Sequence, residues 1–121
     1  MTQHAVSSLE GVALDDAVAA ALGIELQRHH PAEQRWGIYW HAGLTRWLPS
    51  TTWELGGAII ERERIELSYS YAPDGWGAGE AWLAMIRSAD GHSDSRESGT
   101  TPLIAAMRAL VVHKIGPIIE A

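Results

Sequence analysis

The stretch Thr101–Pro117, TPLIAAMRALVVHKIGP, constrains this chain more than any other. Thr101 offers an N-cap hydroxyl, and Pro102 takes the first helical position, where a missing N–H costs little. Leu103, Met107, Leu110 and Val111 recur at helical spacing, and Ile104 widens their stripe. Lys114 in the last turn suits the helix dipole, and Gly116-Pro117 ends the element. The pattern predicts a helix over about Pro102–Ile115, with Leu103, Met107 and Leu110 buried. A helix of this length owes its stability to what covers its apolar side, so the rest of the chain must supply a surface for it.

Two further segments read as partners. Leu14, Ala17, Val18, Ala21 and Leu22 make a helical stripe over about Leu9–Leu22, with Ser8 as N-cap and Gly23 as the stop. Asp15 and Asp16 fall on or near the opposite face, early enough to suit the dipole. Ile65–Tyr71 alternates, with Ile65, Leu67, Tyr69 and Tyr71 on one face and Glu66, Ser68 and Ser70 on the other. Pro73-Asp74-Gly75 signals a turn, and Glu80–Ser88 returns as the second strand of an antiparallel hairpin. Ile24–Gln27 and Trp36–Tyr39 read as short strands, His29–Gln34 as a loop, with a turn near Ala42-Gly43. The fold class is α+β: a small antiparallel sheet with two amphipathic helices packed on one face. The chain reads as one domain over residues 1–121, with residues 1–7 a flexible tail and the polar residues 90–99, DGHSDSRESG, a mobile loop.

The candidate site lies in Pro49–Glu63, PSTTWELGGAIIERE. Pro49 stiffens the entry, and Ser50 and Thr51 are candidate caps for a short helical turn. Gly56-Gly57 would break that turn, with one of them at positive φ. Ala58–Glu61 would then be extended. Trp53 is either a core anchor or one wall of a pocket. In the pocket reading its ring stacks on a flat group, the Gly56-Gly57 turn lets a backbone N–H approach an anion, and Arg62 or Arg64 clamps it. Glu61 and Glu63, two apart on a strand, would share a face as a carboxylate pair; the competing reading is an edge strand protected by charge.

Composition narrows the function classes. There is no cysteine, so thiolate chemistry and disulfides are excluded. His29-His30 is adjacent rather than spaced for one ion, and His41 and His92 add no ligand pattern, so no metal is expected. No P-loop or nucleophile-elbow motif occurs, so no cofactor is expected and an enzyme is the weaker reading. A net charge of −6 opposes nonspecific binding to nucleic acid or anionic membrane. The opening residues lack the basic and apolar regions of a secretory signal, and no apolar run approaches a membrane span. All six Trp and three Tyr carry a polar handle, and there is no Phe. Three functional classes stay open: a binding module for a host protein or small anionic ligand, a homodimer formed through the apolar tail Ile115–Ile119, and a small enzyme using Glu61 and Glu63.

Three segments, in matching order over most of Leu9–Gly116, resemble the NinX-like family of small phage and prophage proteins. They are Leu9, Gly11, Ala13–Asp15 and Ala17–Ala19 ending at Gly23; Pro49-Ser50, Trp53, Gly56-Gly57 and Ile59–Glu61; and Thr101–Arg108. Thr52 stands where the family often has aspartate, and Ala58 where it often has proline. The resemblance implies a phage or prophage origin and a cytoplasmic site of action, and carries over no catalytic residue. It favours an accessory protein that captures a host component, a nucleotide-like signal in counter-defence among them.

Overall fold

Helix Pro102–Lys114 is the centre of the molecule. A computed structural model describes residues 3–25, 40–41, 45–72, 79–91 and 94–120. In chain order it shows β1 (Gln3–Ala5), a 3-10 turn (Val6–Ser8), α1 (Gly11–Leu22), β2 (Trp40–His41), β3 (Thr45–Arg46), α2 (Trp53–Glu63), β4 (Glu66–Ala72), β5 (Gly79–Ile86), β6 (Ser95–Gly99), α3 (Pro102–Lys114) and β7 (Ile118–Glu120). The sequence readings at Leu26–Gln27, His29–Gln34, Trp36–Tyr39, Ala42-Gly43 and Pro73–Gly75 lie outside the described residues. Ile24-Glu25, the described half of the first short strand, forms no strand.

The start of α3 is as the sequence requires: Thr101 Oγ1 accepts from the Ile104 amide at 3.1 Å, with Pro102 following. Leu103, Met107 and Leu110 are buried, but so are Ala105, Ala106, Ala109 and Val111. The helix is covered on more than one side. Strands β5 and β6 lie against it, and α1 and α2 pack on it elsewhere. Small residues permit the close approach. A Cβ on Gly99 of β6 would stand 2.7 Å from the Ala105 amide nitrogen, so sheet and helix meet where no larger residue fits.

The sheet order is β4-β5-β6, antiparallel throughout. Register runs from Glu66↔Met85 to Ala72↔Gly79 and from Trp82↔Gly99 to Ile86↔Ser95. Ala84 and Ile86 are buried on the face that carries Gly99. This confirms the α+β class and the hairpin. Its third strand corrects the mobile-loop reading of residues 90–99: Ser95–Gly99 is an edge strand, polar because alternate side chains face outward.

The amino terminus corrects a second expectation. Residues 3–5 are not a loose tail but pair antiparallel with β7, Gln3↔Glu120 to Ala5↔Ile118. Val6 is fully buried, and its amide donates to the Pro117 carbonyl at 2.9 Å. Ser8 does not cap α1. Its hydroxyl donates to the Ala5 carbonyl at 2.8 Å, and the helix begins after Glu10 without a side-chain cap. At the other end Gly23 takes φ 70°, with the Ile24 amide reaching back to Ala19 O at 2.8 Å. Arg108 joins three parts of the fold: Nε donates to Leu9 O at 2.8 Å and Nη1 to Ser98 O at 2.9 Å. No helix among the described residues is long and apolar enough to cross a membrane.

Candidate functional site

The segment Trp47–Glu63 is held from below by a buried acid. Asp15 of α1 is 1% exposed, not on the outer face. Its Oδ1 accepts from the Ser50 amide at 2.8 Å, and its backbone carbonyl accepts from the Trp47 indole Nε1 at 2.7 Å. Burial lifts the Asp15 pKa from 3.8 to about 6, against the opposing pull of the Ser50 hydroxyl and amide. The Ser50 hydroxyl is itself buried and makes no hydrogen bond of good geometry among the described residues. The amides of Thr51 and Thr52 both donate to Leu48 O, at 3.2 and 2.9 Å, which closes the turn that delivers the chain into α2. Neither Ser50 nor Thr51 is the cap; Thr52 holds that position without a side-chain bond.

The double glycine does not break the helix. Gly56 and Gly57 both lie inside α2, and neither has positive φ. Gly56 is buried because α2 crosses the Pro49 backbone and Leu103 of α3 there. An added Cβ would overlap the Pro49 carbonyl oxygen and stand 2.5 Å from Leu103 Cδ2. Close approach between elements, not a left-handed turn, is the reason for this glycine. The Gly56 amide donates to Thr52 O at 2.8 Å, so it is spent on the helix rather than offered to an anion. Residues 58–61 are helical, not extended. The positive φ belongs to Arg64, at 54° in the C-cap.

Helical geometry then sorts the candidate residues. Gly56, Ile59 and Glu63 turn inward, while Glu54, Ala58 and Glu61 turn to solvent. Trp53 is 56% exposed, which rules out the core-anchor reading. Its ring lies beside Gly57, with Cε3 3.5 Å from the place a Cβ would occupy. Trp53 and Gly57 are thus brought together. Arg62 is not with them: nine residues further on, it stands about half a turn round the helix. Arg62 Nε lies 3.5 Å from Glu63 Oε2, and Lys114 Nζ 3.1 Å from Glu63 Oε1. Glu61 and Glu63 therefore share no strand face: one points to solvent and the other is held between two cations. Trp47, the buried tryptophan of this segment, is the anchor that Trp53 was a candidate for, and nothing in the sequence separates the two.

Two depressions lie elsewhere. One, about 770 Å³, is lined on the sheet by Leu67, Leu83, Met85, Arg96 and Glu97, with Ser7 at its margin. Burial raises the Glu97 pKa, partly countered by Arg108. The other, about 660 Å³, runs between α1 and the β1–β7 ribbon, lined by Leu9, Val12, Ala17, Ile115, Ile118 and Ile119. Neither is lined by α2. No group of three or more His, Asp or Glu placed to hold a metal occurs among the described residues. No curated protein matches the chain. The family described as Bacteriophage P22, NinX matches residues 5–114.

Proposed function

Since the chain belongs to the phage NinX family, we propose that it is a non-enzymatic phage or prophage accessory protein that captures a host-derived partner in the cytoplasm. The capturing surface is the outer face of α2, with Trp53 as its anchor. The exposure of Trp53 carries this reading. A large aromatic left on the surface of a rigid helix contributes little to folding, whereas tryptophan is over-represented among residues that dominate binding energy. Gly57 lies beside the ring, whose Cε3 is 3.5 Å from where a Cβ would stand, and more than half of the side chain is left accessible to a partner. A planar nucleotide-like signal and a protein surface both meet such a ring.

The test sets wild type beside Trp53→Ala in affinity capture from bacterial host extract, with mass spectrometry of the retained species. A species held by wild type and lost by an equally stable Trp53→Ala supports the proposal. A retained set that does not depend on Trp53 overturns it.

A second reading rests on a different observation. Ile115 and Ile118 are 48% and 55% exposed beside the groove along α1. Contiguous apolar surface of this kind suits a homodimer. Sedimentation analysis separates the two readings, because Ile118→Glu abolishes a dimer built there and leaves capture at Trp53 untouched.

A further inference from the structure

Resting on the reading of α2 as a binding face, we infer that the partner is a basic protein segment, rich in arginine, seated on Trp53 and on the carboxylates of Glu54 and Glu61. Glu54, Ala58 and Glu61 follow at four and three residues, so they form one outward stripe with about 10 Å of helix axis between the two acids. Trp53 flanks that stripe about a quarter turn away, and Gly57 and Ala58 leave the space between them low.

The balance of charge selects the partner. Of the cations at the end of α2, Arg62 and Lys114 both pair with Glu63, while Arg64 in the C-cap makes no ion pair among the described residues. Glu54 and Glu61 make no ion pair among the described residues. Glu54 in the first turn is accounted for by the helix dipole. Glu61 is in the last turn, where a carboxylate opposes that dipole, so the helix gives no reason for it. An anionic ligand stacking on Trp53 meets two unneutralised carboxylates. A guanidinium meets the indole face, two carboxylates and a chain of net charge −6 that draws cations in.

The experiment is isothermal titration of the full chain with four probes. They are a short peptide of alternating arginine and serine, its lysine counterpart, its glutamate counterpart, and a nucleoside triphosphate. The arginine peptide binds tightest, more weakly as salt rises. Trp53→Ala weakens it about three- to fivefold, the fold-change an exposed cation–π contact supports. The double variant Glu54→Gln/Glu61→Gln, which keeps side-chain shape, weakens it by about as much, and circular dichroism confirms that each variant is folded. Arginine-peptide binding indifferent to both variants overturns the inference. Tighter, Trp53-dependent binding of the triphosphate or the glutamate peptide overturns the basic partner but leaves α2 as the binding face. If no probe binds in a Trp53-dependent manner, the inference falls, while host-extract capture judges the face independently.

Discussion

Asp15 shows how far a residue's role depends on partners distant in the chain. Its carboxyl reaches Ser50, 35 positions on, and is buried there. The folded protein holds this proton up to a pKa of about 6, whereas the unfolded chain releases it near the ordinary value of 3.8. Between those values the folded state binds more protons, so the stability contributed by this group falls as pH rises from about 4 to 6. Asp15→Asn keeps the acceptor for the Ser50 amide and removes the charge. Chemical denaturation across this window is expected to show the asparagine variant gaining on wild type with pH, by on the order of 3 kcal/mol at pH 7. Equal pH slopes for the two proteins would contradict a buried ionising carboxyl. The two tryptophans of this segment separate just as cleanly. Trp47→Ala removes a buried ring and is expected to cost about 3–5 kcal/mol, while Trp53→Ala should leave the melting temperature nearly unchanged. Thermal unfolding of both variants measures the contrast.

At the scale of elements, what the sequence discloses tracks how local the determining physics is. Helix α3 and the β4–β5 hairpin are legible because a capping threonine, a proline, a Gly-Pro stop and strict alternation act within a few residues. The same holds for the body of α1 and its Gly23 cap. Helix α2 is illegible because Gly56-Gly57 signals a break unless one knows that Pro49 and Leu103 press against it. Strand β6 is hidden by its polarity, and β1 by a partner over a hundred residues away. The candidate residues fared likewise: Trp53 and Gly57 lie together, but Arg62 does not join them, since that depended on the element being a strand. Gly56→Ala therefore tests packing rather than turn geometry. It is expected to destabilise by roughly 1–3 kcal/mol, and more if α2 cannot shift, because the added methyl meets backbone oxygen. Arg64→Gly should do the opposite and stabilise by about 1 kcal/mol, since glycine takes the left-handed C-cap without strain. Urea titration of both variants reads the two signs.

Over the whole molecule, Arg108 ties the amino-terminal segment to the sheet. Its guanidinium serves two carbonyls, on Leu9 and Ser98, with a planar fork that lysine cannot copy. Arg108→Lys is expected to lose about 1.5–3 kcal/mol, with hydrogen-exchange protection falling first around residues 6–9 and 95–99. A lysine variant as stable as wild type would show that one carbonyl bond suffices. The position of α3 has a consequence in time as well as in space. The helix that α1, α2 and the three-stranded sheet pack upon follows all of them in the chain. While the ribosome is still adding it, α1 and the inner face of the sheet have no floor, and β1 must wait for β7 to emerge. A nascent chain halted before residue 114 therefore holds its apolar faces open to water, and the decisive collapse waits until α3 has emerged.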